Sequence, residues 1–289
     1  MPRSTGSSRS RGRAWSWPAW LVVVAAAVAA CSSGGPPAQS PSATAQSPSA
    51  TLQSPSAPAQ ICQQLAVPAY FYPSATWAQA ADSKPAPSNM ILDISGVGAG
   101  DGPVAHFQAV VRQARARNIT VLGYISTVDG QRPAAQVEAE VRNYRAWYGV
   151  TSIFLDRVSG LQPQVAYYQQ LVDYIHHFDA GSSVWLNPGD YPDQDYMSIG
   201  DVVMVFEGTY SQYVSLQVPG WVSGYPPSKF AHTIYAAPAA VLGNVLQLAA
   251  NRRAGHVYVT DASGDNPYDV LPSYWSREAA AASAGCAGR

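Results

Sequence analysis

Apolar, β-prone runs recur along the chain from residue 65 onward, separated by polar or turn-forming residues. The eight runs span residues 65–73, 89–95, 119–126, 150–156, 183–189, 201–207, 230–237 and 256–261. Most are continuously apolar rather than alternating, which is typical of parallel strands covered on both faces. Their starts recur roughly every 30 residues, the length of a βα unit.

The segments between these runs carry apolar residues at helical spacing. The stripes are Val104, Phe107, Val111 and Ala114; Val137, Val141, Tyr144 and Tyr148; Val165, Tyr168, Val172 and Ile175; and Val241, Val245 and Leu248. Strand and helix alternating eight times predict an α/β fold, a (β/α)8 TIM barrel formed as a single domain by residues 61–289.

An open doubly wound sheet is the alternative fold, and we would expect such a fold to contain a phosphate-binding loop. The glycine run at residues 96–101, GVGAGD, does not complete the GxGxxG pattern. We interpret it only as a tight loop in which the backbone approaches its neighbours closely.

The first 30 residues have the three parts of an export signal. A basic region at 3–13 precedes an apolar stretch at 20–30, which is shorter than the ~20 residues of a membrane span. Val28-Ala29-Ala30-Cys31 resembles the lipobox of bacterial lipoproteins and predicts lipidation of Cys31. The alternative is an ordinary secretory signal with a chance cysteine. We therefore expect a protein that is lipid-anchored at the outer face of the cytoplasmic membrane, or secreted.

Residues 31–60 have the composition of a linker. Residues 32–60 carry no charged side chain, and QSPSA recurs at 39, 46 and 53. Ser, Pro, Ala and Gln cannot supply a core, so we predict a disordered linker. Its role would be to hold the folded domain away from the lipid surface.

The charge balance weighs against nucleic-acid binding. The chain of 289 residues has a formal net charge of -1, but its first 31 residues hold four of the 17 basic residues and none of the 18 acids. Without them the net charge is -5 (13 basic against 18 acidic), which does not suit a polyanionic partner. CxxC, HExxH and GxSxG are all absent, which argues against a zinc site and an esterase. We expect a monomer that uses no metal or cofactor.

Two cysteines remain after Cys31, and they bracket the predicted barrel. Cys62 and Cys286 belong to an exported protein, where oxidation is expected. The first and last elements of a closed barrel are neighbours, so we predict a disulfide between them. The alternative is a pair of free, buried thiols.

Polar and aromatic residues follow the apolar bodies of the predicted strands. The active site of a (β/α)8 barrel lies at the C-terminal ends of its strands, so we expect these side chains to converge on one mouth. Aspartates in this position also cap the following helix, which is the alternative for Asp93 and Asp261. Trp147 and Trp185 are predicted to belong to the core. The substrate-binding candidates are Tyr70, Tyr72, Asp93, Tyr124, Arg157, Asn187, Tyr210, Trp221 and Asp261.

Glu207 is the first candidate catalytic residue. It interrupts the apolar run VVMVFEGTY, and burial of a carboxylate is costly unless the group is paired or used. The period of two groups it with Val203 and Val205, whereas Glu138 and Glu140 have solvent-facing helical spacing. Desolvation would raise the pKa of Glu207, which suits a general acid. The alternative is a structural carboxylate bonded to the backbone.

Asp156 is the second candidate, and it ends the run SIFLD in the same manner. The adjacent Arg157 would favour its ionised form, which suits a nucleophile or a stabiliser of positive charge. A helix cap or an ion pair with Arg157 is the structural alternative. Two carboxylates that face each other across a barrel mouth, among tyrosines, are the arrangement that glycoside hydrolysis needs.

Several segments together resemble the spherulation-specific family 4, or spherulin-4-like, proteins. They are VPAYFYPS, LGYISTVDG, YRAWYGVTSIFLDR, YYQQL, WLNPGD, VVMVFEGTY and VYVTD followed by PYDVLPSYW, within residues 66–276. The resemblance implies a (β/α)8 barrel that cleaves α-1,4-linked N-acetylgalactosamine within galactosaminogalactan, by a strand-4 Asp-Glu pair and a strand-6 Glu. Asp156 and Glu207 match two of these acids.

The third family acid falls on Arg157, and the Asn-Pro-rich loop after strand 2 reads DISGVGAGDG here. A related barrel family that cleaves galactosamine polymers needs only an Asp and a Glu at the matching strand ends. We therefore expect an endo-acting glycoside hydrolase for a polysaccharide containing N-acetylgalactosamine or galactosamine. The alternative is a catalytically impaired barrel that binds polysaccharide at the cell surface.

Overall fold

Eight parallel strands close into a barrel in chain order in the computed structural model, which describes residues 62–286. This confirms the predicted (β/α)8 barrel and excludes the open doubly wound sheet. The predicted signal peptide, Cys31 and the whole of the predicted linker at residues 31–60 lie outside the described residues. The strands are β1 (Gln64–Ala69), β2 (Asn89–Leu92), β3 (Thr120–Ser126), β4 (Ser152–Asp156), β5 (Val184–Leu186), β6 (Val202–Thr209), β7 (Phe230–Tyr235) and β8 (His256–Val259).

Helices on the outside of the barrel connect the strands. Among the described residues, none of them is both long enough and apolar enough to cross a membrane. A π-helical turn, Tyr144–Tyr148, continues the third helix. The helices are α1 (Ala75–Ala81), α2 (Ala105–Arg115), α3 (Ala134–Asn143), α4 (Val165–Phe178), α5 (Tyr196–Ile199), α6 (Tyr210–Val214), α7 (Leu242–Asn251) and α8 (Trp275–Ser283).

The apolar core has two layers, one inside the barrel and one between the barrel and its helices. The inner layer includes Ile91, Leu122, Phe154, Trp185 and Met204. The larger outer layer joins the outward faces of the strands to the helices. Because both faces of most strands are covered, apolar residues occupy consecutive strand positions rather than alternate ones.

The predicted helical stripes are largely buried against the barrel. In α2, Phe107, Val111 and Ala114 are buried as expected, but Val104 is 37% exposed. Val104 has an extended backbone and precedes the first helical residue, Ala105, so its side chain does not continue the stripe.

The outer face of β6 is covered by an irregular segment rather than by a long helix. The helix α6 has only five residues, and the chain then passes through short 3-10 turns at Gly220–Gly224 and Pro227–Lys229. Trp221 lies in this segment and contacts the rings of Tyr191 and Phe230. Trp221 therefore packs outside β6, on the face that the short helix leaves to be covered, and its role in sugar stacking stays a prediction.

The seam between β1 and β8 is short, and the C-terminal segment reinforces it. The two strands pair only at Gln64 with His256 and at Leu65 with Val257. Cys62 and Cys286 form a disulfide beside this seam, with their Cα atoms 4.4 Å apart. The two ends of the barrel are thus joined covalently beside a pair of strands that meet at only two positions.

Candidate active site

Three neighbouring strands bring two carboxylates and one amide together at the mouth of the barrel. Asp156 ends β4, Asn187 follows β5, and Glu207 lies in β6. The Asn187 Nδ2 atom donates to Asp156 Oδ1 at 2.7 Å and to Glu207 Oε2 at 2.6 Å. The facing carboxylate oxygens are therefore no more than about 5.3 Å apart, the combined length of these two hydrogen bonds.

The orientation of the Asn187 amide follows from its other contact. The backbone N–H of Gly189 donates to Asn187 Oδ1 at 3.0 Å, which directs the NH2 group toward the two acids. The Gly189 carbonyl also accepts from the backbone N–H of Glu207 at 2.9 Å. The turn after β5 therefore fixes both the bridging amide and the backbone that carries Glu207.

A shift in strand register turns Glu207 toward the mouth. The pairing of β6 with β7 is regular up to Met204 and then skips to Phe206. Val203 and Val205 pack with Phe230 in a small apolar cluster outside the barrel. They therefore do not share a face with Glu207, although the period of two predicted that they would. The irregularity adds one residue to β6, and such a bulge re-aims the side chains that follow it.

Tyrosines complete the walls around the acid pair. The Tyr124 hydroxyl donates to Asp156 Oδ2 at 2.7 Å, and the Tyr268 hydroxyl donates to Glu207 Oε1 at 2.8 Å. The ring of Tyr70 meets the rings of both tyrosines edge-on, with centroids 5.6 Å apart in each case. Every oxygen of the acid pair thus accepts a hydrogen bond from a neutral donor.

Burial dominates the electrostatics of the pair. Desolvation raises the pKa of Asp156, against hydrogen bonds from Tyr124 and Asn187 that lower it. Desolvation and the nearby charge of Asp156 raise the pKa of Glu207, which Asn187 and Tyr268 oppose. Two acids this close do not both ionise readily, so the pair favours one shared proton.

Arg157 does not act on Asp156 in the expected way. Its charge is the smallest of the influences on the pKa of Asp156, whose net shift is upward. The Arg157 guanidinium instead forms an ion pair with Asp129 at 2.6 Å. The reason is the backbone: Arg157 has a left-handed φ of 51°, which turns the chain away from the strand.

The sequence comparison identifies the family to which this site belongs. The model of the spherulation-specific family 4 matches residues 64–282. The chain belongs to the spherulation-specific family 4. Spherulin-4 of Physarum polycephalum is 30% identical over 232 residues, which cover 75% of this chain and 69% of that protein.

Among solved structures, this family 4 barrel is similar to Sph3 of Aspergillus clavatus, determined in complex with GalNAc. The TM-score is 0.65 at 22% identity, and the match covers 76% of this chain and 97% of Sph3. The likeness extends over the barrel and independently supports the fold.

The remaining substrate-binding candidates of this family 4 chain lie around the mouth without touching the acid pair. Asp93 accepts from the backbone N–H groups of Ser95 and Gly96 and shapes the loop after β2. Asp261 accepts from Ser273 and ties down the loop after β8. Both aspartates therefore organise their own loops rather than cap a following helix.

The aromatic candidates at the rim differ in exposure. Tyr72 is 63% exposed and lies near the rings of His106 and Phe107, so much of its surface is open to a ligand. Tyr210 begins α6 directly after β6 and is partly buried against the main core.

Two glutamates and one tyrosine have roles that the sequence did not indicate. Glu140 was expected to face solvent, but its carboxylate accepts from the backbone N–H of Ala99 at 2.9 Å and pairs with Arg132. It packs so closely on the glycine loop that a Cβ at Gly98 would lie 2.5 Å from it.

Glu278 is fully buried in α8. Tyr268 contacts Glu207 from a loop in which no motif or spacing marks it out, except that PYDVLPSYW is one of the family segments.

Proposed function

We propose that the barrel is a glycoside hydrolase that cleaves within a polysaccharide containing N-acetylgalactosamine or galactosamine. The observation that carries this proposal is the partly buried pair of Asp156 and Glu207, bridged by Asn187. Family membership and the GalNAc bound to the structurally similar Sph3 support the sugar class.

In the proposed reaction Glu207 is the acid/base and Asp156 is the nucleophile. Desolvation and the nearby charge of Asp156 raise the pKa of Glu207, so it can hold the proton that the leaving oxygen needs. Asp156 accepts hydrogen bonds from Tyr124 and Asn187, which stabilise its charged form. Asp156 would attack the sugar carbon, and Glu207 would then activate the water that releases the product.

The spacing of the acids favours retention of anomeric configuration. Retaining glycosidases place their carboxyl groups about 5–5.5 Å apart, whereas inverting enzymes need about 6.5–9.5 Å to admit water. The facing oxygens of Asp156 and Glu207 lie within about 5.3 Å. A water molecule would have to displace the Asn187 amide to fit between them.

The charge of the mouth suits an amine-bearing sugar polymer better than an acidic one. Two guanidinium groups lie in the segments that follow the strands, and both pair with carboxylates, Arg157 with Asp129 and Arg132 with Glu140. A cleft lined by one sign of charge concentrates ligands of the opposite sign. Asp156 and Glu207 belong to the strands themselves, and the segments that follow the strands add nine more acids, which are Asp93, Asp101, Asp129, Asp190, Asp193, Asp195, Asp261, Asp265 and Asp269.

Product analysis tests the proposal. Partly de-N-acetylated α-1,4-linked N-acetylgalactosamine oligomers are incubated with the wild type, with Glu207→Gln and with Asp156→Asn. We expect shorter oligomers that retain the anomeric configuration by NMR, and a rate loss of about 10² to 10⁴ for Glu207→Gln. The control is Glu138→Gln, because the Glu138 carboxylate accepts from Gln170 on the outside of the barrel, away from the mouth.

The outcomes separate the hydrolase from the alternative. Near-wild-type cleavage by Glu207→Gln would remove Glu207 from the mechanism. Oligomer binding beside Tyr70 and Tyr72 without any cleavage by the wild type would instead support a polysaccharide-binding barrel.

Export and lipid anchoring complete the proposal. The basic and apolar segments before Cys31 and the small residues next to it support lipidation of that cysteine. The uncharged linker would then hold the barrel at the outer face of the membrane, within reach of surface polysaccharide.

A further inference from the structure

The position of the Asp156 carboxylate depends on an unusual backbone conformation at the end of β4. Arg157, the next residue, has a φ of 51°, in the left-handed region that a non-glycine residue rarely adopts. Such conformations persist only where the surroundings enforce them, and they cluster at functional sites. The groups that enforce this conformation therefore help to set the direction of the Asp156 side chain.

One buried side chain holds the peptide carbonyls of Asp156 and Arg157. Thr127, in the loop after β3, is fully buried. Its Oγ1 atom lies 2.9 Å from the Asp156 carbonyl oxygen and 2.7 Å from the Arg157 carbonyl oxygen. The single hydroxyl proton is thus shared between the two carbonyls on either side of the strained residue.

The direction of that proton is fixed by a second buried hydroxyl. The backbone N–H of Ser159 donates to the Tyr168 hydroxyl oxygen at 3.0 Å. Tyr168 in turn lies 3.0 Å from Thr127 Oγ1, with its own proton available for that contact. The relay therefore runs from Ser159 through Tyr168 to Thr127, and leaves the Thr127 proton for the two carbonyls.

The loop that presents Thr127 is itself strained. Val128 and Asp129 have φ values of 51° and 55°, and a left-handed conformation is a genuine outlier for a β-branched residue such as Val128. In this conformation the N–H groups of Thr127 and Asp129 donate to the carbonyls of Asp156 and Arg157 at 2.9 and 2.8 Å. Strained residues in the loops after β3 and β4 thus hold the hydrogen bonds between these two loops next to Asp156.

We propose that Thr127, oriented by Tyr168, is a positioning residue that holds the Asp156 carboxylate against Asn187 and Tyr124. The expected effect on kcat rests on the proposed hydrolase function. The expected effect on the position of the Asp156 carboxylate rests on the structure alone. Thr127 touches the backbone of Asp156 and not its carboxylate, so its effect on the reaction is indirect.

The test compares Thr127→Val, which removes the hydroxyl at nearly constant shape, with Thr127→Ser, which keeps it. On an oligomer that the wild type cleaves, we expect Thr127→Val to lower kcat about 10- to 100-fold, because a misplaced reacting group loses rate steeply. KM should stay near the wild-type value, and Thr127→Ser should recover most of kcat. Wild-type kcat in Thr127→Val would overturn the inference.

A second readout needs no substrate. The titration of the Asp156 carboxyl is followed by carbon NMR and assigned with Asp156→Asn. Thr127→Val should raise the pKa of Asp156, because the bonds from Tyr124 and Asn187 that lower it are weakened. If the wild type cleaves nothing, the hydrolase proposal fails, and an unchanged titration in Thr127→Val would separately overturn this inference.

Tyr168→Phe gives the same test if Thr127→Val does not fold, since it removes the hydroxyl that orients Thr127. Its matched control is Tyr274→Phe, which deletes another buried tyrosine hydroxyl, one that donates to the Ala237 carbonyl at 2.9 Å. We expect Tyr168→Phe to change kcat and the Asp156 titration, and Tyr274→Phe to change neither. Equal effects of both variants would reduce Tyr168 and Thr127 to general structural roles.

Discussion

Replacement of Glu278 by Gln should weaken the dependence of thermal stability on pH. Glu278 is fully buried in α8, a helix that packs against β1. Its Oε1 atom accepts from the backbone N–H of Val259 at 2.6 Å, and Oε2 has no hydrogen-bond partner among the described residues. Burial raises the pKa of Glu278 well above its ordinary value, and the nearby Asp261 adds to the rise.

The sign of the effect follows from the direction of that shift. A raised pKa means that the folded protein holds this proton more tightly than the unfolded chain does. The resulting stability is fully present below the unfolded pKa of 4.5 and is lost as the pH rises toward the folded pKa. Each pH unit between the two values lowers the free energy of unfolding by about 1.4 kcal/mol. In a domain of this size that corresponds to roughly 3–5 °C in Tm.

The assay is a series of thermal melts between about pH 4 and pH 8, the range in which a carboxyl with a raised pKa contributes. Glu278→Gln keeps an acceptor for Val259 N–H and is neutral throughout, so its Tm should fall less than that of the wild type as the pH rises. Glu138→Gln is the control, because Glu138 lies on the outside of α3. Parallel Tm curves for the wild type and Glu278→Gln would refute the reasoning.

Three further predictions concern the site, the disulfide and the membrane. Tyr268→Phe removes a donor that lowers the pKa of Glu207, so this pKa should rise and the alkaline limb of the kcat profile should move to higher pH; an unmoved limb would contradict the assignment of Glu207 as the acid. Cys286→Ser opens the bond to Cys62 and should lower the free energy of unfolding by about 2–5 kcal/mol, measured by denaturant titration without reductant. Cys31→Ser should release the protein from the membrane fraction, and fractionation identical to the wild type would exclude the lipid anchor.

The barrel could be predicted because parallel strands covered on both faces have a simple signature. The middle residues of β2 and β4, MIL and IFL, are continuously apolar, and each strand is followed by a helical stripe. The short α6 carries no such stripe, so nothing in the local pattern showed that Trp221 packs outside β6. Packing of an irregular segment depends on which surface is left open, and only the assembled barrel defines that surface.

Asp156, Asn187 and Glu207 could each be placed at the mouth from strand-end position alone, but their contacts could not. The contact between Asn187 and both acids requires the relative heights of three strands, and the bulge after Met204 changes the height of Glu207. A single inserted residue reverses the face of everything beyond it. The period of two therefore assigned the correct direction to Glu207 but the wrong partners, Val203 and Val205.

The tyrosines that donate to the acid pair are harder to predict than the acids, because they lie far from them along the chain. Tyr124 reaches Asp156 from the adjacent strand, where Ser126 and not Tyr124 is the residue in register with Asp156. The phenol group spans that offset, which a shorter side chain would not. Tyr268 reaches Glu207 across 61 positions, from a loop that Asp261 holds in place through Ser273. A loop residue comes to donate to a catalytic acid only through the contacts that fix its loop. The sequence therefore predicts the two acids of this site, but not the tyrosines that influence their pKa values.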